Sequence, residues 1–308
     1  MFGFSTLPVI ETEIHARMPE ALRRRGETPD WVRANLGGRP TDSFIEGPCR
    51  DPQGNLYLVD IPYGRLLAVD PGGAWRVVAQ YDGEPNGLAW HPDGYLLVAD
   101  YRHGLMAYAP GAAAPRPLLE RRNSERFKGP NDLIVAPGGD IYFTDQGQTG
   151  LHDPTGRVYR LRPDGRLDCL IANGPSPNGL ALNGSGDVLY VSMTRDNSVW
   201  RLPLLPDGSA SKVGRLFQFW GVGGPDGMAM DERGNLLVAH ASLGVVVAFD
   251  PWGEPKAVVR SCAGRAVTNV CIGEDGWLYI TESATASVLK ADWAAARDRF
   301  LPAYMPKD

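Results

Sequence analysis

Cysteine is scarce, with four residues in a chain of 308 (Cys49, Cys169, Cys262 and Cys271), and none of them forms a Cys-x-x-Cys pair or a zinc-like spacing. That number is too small to staple a chain of this length, so a disulfide framework is excluded and the thiols are read as reduced. Long apolar runs are missing too: no segment approaches the roughly 18 uninterrupted apolar residues of a membrane-spanning helix. There is no extended Lys/Arg run, and the formal net charge is -5. Nucleic acid and anionic membrane surfaces both favour a basic face, so neither is expected as a partner. A small molecule is left by elimination. The first residues have no basic stretch, and Glu11 and Glu13 stand where a secretory leader needs its apolar core. A cytoplasmic protein is therefore expected.

Turn-forming residues are plentiful, with 37 glycines and 26 prolines against a hydrophobic content of 43%. That balance predicts many short strands around an ample core. The strands are visible as a repeat. Asn55–Asp60, Tyr95–Asp100, Asp140–Asp145, Asp187–Ser192, Asn235–His240 and Trp277–Glu282 are variants of one strand, each directly after a glycine, at 54, 94, 139, 186, 234 and 276. The successive spacings of 40, 45, 47, 48 and 42 residues are the length of a four-stranded propeller blade. Six copies predict an all-β, six-bladed β-propeller with strands A to D running outward from the axis in each blade. The last copy has no strand D of its own and turns helical at Trp293–Arg297. Pro8–Ala16 is the natural substitute, an N-terminal strand that closes the ring and removes an open sheet edge. The whole of 1–308 is read as one domain. Residues 19–38, with the Arg-rich and helix-like stretch Glu20–Arg25, stand outside the repeat as a surface insertion.

Eight residues before each of those glycines lie Glu46, Asn86, Asn131, Asn178, Asp226 and Thr268. The constant offset places each at the start of an innermost strand, on one face of the disc, converging on the axis. Met singly, Asn86-Gly87, Asn178-Gly179 and Asp226-Gly227 would read as turns. As a set they do not, because Glu46 and Thr268 are poor turn formers and a tight hairpin already follows each position. Two carboxylates and three amides around an axis stay repelled or unsatisfied unless a cation joins them, and a hard divalent ion does so. Three residues further on stand Cys49, Ala89, Ile134, Ala181, Ala229 and Cys271, mostly small, which makes two of the cysteines packing residues. The ends of the B strands, Asp60, Asp100, Asp145, Ser192, His240 and Glu282, return to the same face. Most are expected to cap the B-to-C turn. His240, Glu282 and Lys128 are expected to touch substrate, and the connection Gln146–Thr155, with His152, to cap the pocket.

Four of these motifs, Glu46-Gly-Pro, Gly129-Pro-Asn131-Asp, Pro177-Asn178-Gly-Leu and Pro225-Asp226-Gly-Met, together resemble the SMP-30/gluconolactonase family, and the likeness runs from about Phe44 to Asp292. The resemblance implies a single bound Ca, Zn, Mn or Mg ion, calcium being favoured, with Glu46, Asn131, Asn178 and Asp226 as its ligands. It further implies Asp226 as general base, and Asn86 and Thr268 as neighbours of the ion or its water. One departure stands out. Some sugar-lactonase members carry an Arg two residues before the third-motif asparagine, where this chain has Gly129, preceded by Lys128. That argues against gluconolactone itself as substrate. The expected activity is metal-dependent hydrolysis of a lactone. A phosphotriesterase-like or aryl-esterase activity on the same site, and a non-catalytic propeller that binds a partner on its face, are the alternatives.

Overall fold

The computed structural model describes residues 6–300, so the two ends of the expected 1–308 domain lie outside the described residues. Six sheets follow one another around an axis, each four-stranded in the expected A-to-D order, with one carrying a fifth strand. The innermost strands are Ile45–Arg50, Pro85–His91, Pro130–Val135, Pro177–Leu182, Pro225–Met230 and Val267–Ile272, which define blades 1 to 6. The core lies between blades rather than at the axis. In one interface Leu237, Ala239 and Val246 of blade 5 face Val270, Leu278 and Ile280 of blade 6. These are the apolar faces of two sheets, and burying them against each other is the main driving force for ring assembly.

The N-terminus closes the ring, but in two pieces. Glu13–Arg17 supplies strand D of blade 6, antiparallel to Ser287–Asp292. Val9–Glu11 instead runs parallel to strand D of blade 5. Thr12 marks the break: its hydroxyl donates to Arg260 O at 2.8 Å and accepts from Cys262 N at 2.9 Å. The expected single strand is thus shared between two blades. Helix is found where predicted after the last strand, over Trp293–Phe300. In the insertion it is displaced from the prediction. The Arg-rich stretch forms only a 3-10 turn at Glu20–Leu22, and the α-helix is Asp30–Leu36, ended by Gly37 in the left-handed conformation at φ 60°. Trp31 and Val32 of that helix are buried, and Trp31 packs on Phe44 at 4.9 Å between ring centroids. The helix is anchored in the body of the protein and is no mere surface addition.

Two features set the six axial positions. Every A strand carries a register shift at or directly after its axial residue, for example between Pro130 and Leu133 or between Pro225 and Met228. Blades 2, 4 and 6 shift at the same place, and in blade 1 Glu46 still pairs with Val59 and the shift follows it, before Cys49. Such bulges re-aim side chains, and here they turn one residue per blade out of the sheet. Directly after it, glycine lets neighbouring A strands touch. A Cβ on Gly87 would lie 2.7 Å from Asp132 Cα, and one on Gly179 would lie 2.6 Å from Gly227 Cα and closer still to Asp226 O. Gly179→Ala should therefore cost about 1–3 kcal/mol through overpacking, whereas Gly214→Ala, with nothing within 4 Å, should stay within about 0.5 kcal/mol. Urea unfolding of the two variants checks this, and equal midpoints would refute the backbone contact.

Candidate active site

Glu46, Asn86, Asn131, Asn178, Asp226 and Thr268 all line one cavity of about 380 Å³ at the mouth of the channel. Each is less than one-tenth exposed. Beside them on the wall stand residues from just past the B strands: Ile61, Tyr101, Gln146, Thr194 and Ala241. Their backbone N–H groups, together with that of Ser283, bond to the carbonyls of Phe44, Glu84, Gly129, Ser176, Gly224 and Ala266, each two residues before an axial position. One hydrogen bond per blade thus ties the wall to the segment that leads into the axial residue.

The B-strand ends serve this scaffold rather than the cavity. Asp60, Asp100, Asp145 and Glu282 accept the N–H of Phe44, Glu84, Gly129 and Ala266 respectively, at 2.8 to 3.1 Å. Glu282 also takes the N–H groups of Ala284 and Thr285, so it is a turn cap away from the cavity wall. His240 is fully buried with its ring 5.4 Å from that of Phe219, and burial lowers its pKa to about 4. It too is absent from the wall. In blade 4 the strand ends at Met193, paired with Pro177, and not at Ser192, because its A-to-B turn is one residue longer. Lys128 and His152 also lie off the wall. Lys128 Nζ donates to Thr155 Oγ1. His152 is exposed and sits against Gly150, whose other neighbour is the Arg195 stem.

The axial carboxyls are held in an unfavourable place for charge. Burial pushes the Glu46 pKa up to about 8, and the nearby charge of Asp132 adds to this, although Gly47 N donates to its Oε2 at 2.6 Å. Asp226 is raised well above the usual carboxylate range by burial first, then by Glu46 and Asp132, with Arg195 and an Asn178 hydrogen bond pulling the other way. Asp132 itself is raised to about 7 by burial, opposed by the Leu133 N–H and by Asn269. This third carboxyl was missed in the sequence. The signal was there: one position beyond the axial residues the blades read Gly47, Gly87, Asp132, Gly179, Gly227 and Asn269. The two non-glycines lie on opposite blades and bond to each other across the axis. Among the described residues no group of three His, Cys, Asp or Glu forms a metal-binding cluster. Any cation here depends on amide oxygens beside the carboxylates. Asn131 already commits its Nδ2 to Gln146 Oε1 at 2.9 Å, which leaves Oδ1 as its acceptor.

Gly129 also finds its explanation. A Cβ there would lie 2.6 Å from Tyr101 Cδ2, so the aromatic ring packs on the backbone where some sugar lactonases have an arginine. Tyr101 OH accepts from Gln148 Nε2 at 3.0 Å, and the same amide donates to Asn35 Oδ1 at 3.1 Å. The helix Asp30–Leu36 is thereby latched over the mouth, where Trp31, Asn35, Leu36 and Arg39 join the wall.

Comparison with known proteins follows the same lines. Residues 44–284 match the model of the SMP-30/Gluconolactonase/LRE-like region. A gluconolactonase from Zymomonas mobilis subsp. mobilis is 33% identical over 273 residues, covering 78% of this chain and 76% of the relative. Lactonase drp35 from Staphylococcus aureus is 29% identical over 223 residues, 68% of each chain. Among solved structures, a gluconolactonase from Xanthomonas campestris superposes with a TM-score of 0.71 at 25% identity, covering 89% of this chain and 98% of that one. Regucalcin from Agrobacterium tumefaciens, a calcium-binding protein, shares the fold with a TM-score of 0.74 at 20% identity, over 92% and 95% of the two chains. With residues 44–284 of 308 matched, this chain belongs to the SMP-30/Gluconolactonase/LRE-like family.

Proposed function

We propose that this protein is a lactonase, working at the channel mouth with a divalent cation, calcium being favoured, held by Glu46, Asn131, Asn178 and Asp226. The observation that carries the reading is the convergence of six oxygen-bearing side chains, one from each blade, on a single cavity of about 380 Å³, a size suited to a small ligand. The gluconolactonase and lactonase relatives support the reaction class. The donor set fits a hard cation: it offers carboxylate, amide and hydroxyl oxygens. The pressure on three buried carboxyls to stay protonated is what a divalent positive charge would relieve. Bound there, such an ion supplies Lewis-acid polarisation of an ester carbonyl.

The chain's own residues do the rest. Asp226, ionised, takes a proton on its carboxylate from the attacking water as the water oxygen bonds to the carbonyl carbon. The acyl bond to the ring oxygen then breaks, and Asp226 returns the proton to that oxygen, leaving an open hydroxy acid. Asn178 holds the Asp226 carboxylate by a hydrogen bond, and Arg195 favours its ionised form. Asn86 and Thr268 offer an amide and a hydroxyl that orient the substrate. The latched helix narrows access for water.

Asp226→Asn should lower kcat by about 10²- to 10⁴-fold while a cation still binds, as followed by calorimetry. Near wild-type turnover with the ion bound would remove Asp226 from the proton-transfer role. The assay runs aldonolactones, aliphatic lactones, aryl esters and phosphotriesters side by side after chelation and after return of Ca, Mg, Mn or Zn. Turnover of phosphotriesters alone would replace the lactonase reading.

A pH dependence follows with a definite sign. Glu46 is held up near 8 from an ordinary value of 4.5 by burial and the Asp132 charge. Below 4.5 the carboxyl is protonated whether the chain is folded or not, so it contributes nothing to the pH dependence there. Between 4.5 and about 8 the unfolded chain releases this proton and the folded, cation-free protein keeps it, so stability falls as pH rises. A cation competes with the proton. The rise in melting temperature on adding calcium should therefore be larger at pH 8 than at pH 5, and a gain independent of pH would count against Glu46 as a ligand.

A further inference from the structure

Two exposed arginines line the cavity. Arg39 comes from the segment between the helix Asp30–Leu36 and blade 1, and its Nε donates only to Leu36 O at 3.2 Å. Arg195 comes from the 3-10 turn Thr194–Asp196 of blade 4, on the opposite side of the ring. Neither makes an ion pair among the described residues. The acidic residues nearest them in sequence or on the same rim are already taken: Asp42 pairs with Arg23, Glu84 with Arg102 and Asp196 with Arg215. The Arg195 stem lies 3.5 Å from where a Cβ on Gly150 would stand, so the blade 3 connection supports it from behind. Both residues are exposed at the cavity, whereas Glu46 and Asp226 are buried in it.

Opposite charges at two depths of one pocket orient a ligand. The floor, with Glu46 and Asp226, repels a free anion and is where the cation and the ester carbonyl belong. The wall guanidiniums attract an anion and offer the forked donors that suit carboxylate and phosphate oxygens. Resting on the lactonase reading, we infer that the substrate is a small lactone carrying an ionised carboxylate or phosphate on the side of the ring away from the carbonyl, and that Arg39 and Arg195 recognise this group. Gluconolactone, which is uncharged, lacks that handle.

Matched pairs test the inference: γ-butyrolactone against its 5-carboxylate, and δ-gluconolactone against its 6-phosphate. A charge-assisted hydrogen bond predicts a preference in kcat/KM of about 10- to 100-fold for the charged member, expressed mainly in KM. The preference should shrink toward unity in Arg39→Gln and Arg195→Gln and in high salt, and Arg195→Lys should retain part of it. The pair with the larger preference identifies the anion. Equal rates on both members of each pair, or variants that slow both members by the same factor, would overturn the inference and leave Arg195 as a counter-charge to Asp226 alone. Calorimetry with 2-pyrrolidone-5-carboxylate against 2-pyrrolidone separates this from the lactonase reading, since a lactam need not be hydrolysed. Arg195-dependent binding of the lactam acid without turnover of any lactone keeps the anion site and removes the lactonase. Lactone turnover with no charge preference does the reverse.

Discussion

Everything at the active face depends on how closely six strands approach one another at the axis. Side chains cannot all fit there, so glycine fills the position just past the axial residue in four of the blades (Gly47, Gly87, Gly179 and Gly227). Backbone then meets backbone, and the bulge in each A strand swings the preceding residue up into the mouth. The polar ring is a by-product of crowding as much as of chemistry. Once the backbones touch, the side chains that reach the mouth are those turned out of the sheet, while Asp132 and Asn269 fill the axis beneath them. That fixes the number of groups at six and their depth at one level.

Depth is what sets the ionisation of these groups. A carboxyl at the rim would be an ordinary solvated acid. At the bottom of a small cavity, beside Asp132, Glu46 and Asp226 are held up by burial and mutual repulsion. An environment that penalises two neighbouring negative charges is one in which a bound cation gains most, and one in which a proton acceptor is matched to near-neutral pH. The desolvation that raises these carboxyls is also the penalty that a bound cation would relieve.

The repeat was legible because a propeller states itself once per blade. Constant spacing between a glycine and a polar residue eight positions earlier survived six times, and the cavity gathers all six of those residues. What the spacing does not carry is the direction of a side chain at a strand end. His240 and Glu282 differ in type from the aspartates at most other strand ends, yet neighbours along a strand alternate in direction. The wall is built by the following residues, such as Tyr101 and Gln146, while the strand ends bind backbone N–H groups behind them. One added residue in blade 4 moved the pairing from Ser192 to Met193, a slip that counting at fixed offset cannot detect. The helix was misplaced for a different reason. The basic stretch Glu20–Arg25 looked helical by composition, but it lacks apolar spacing to bury, whereas Trp31 and Val32 give Asp30–Leu36 something to dock with.

The seam of the ring has a bearing on how the molecule is made. Residues 9–17 are synthesised some 240 residues or more before their partners in Pro255–Arg260 and Ser287–Asp292. Throughout translation the leading segment has no sheet to join, and the growing disc stays open on both flanks. Docking of residues 9–17 joins segments distant in sequence and ties two adjacent blades together. A nascent chain halted before the sixth blade would expose both flanks together, which makes the last stretch of synthesis the interval in which the protein most needs protection from self-association.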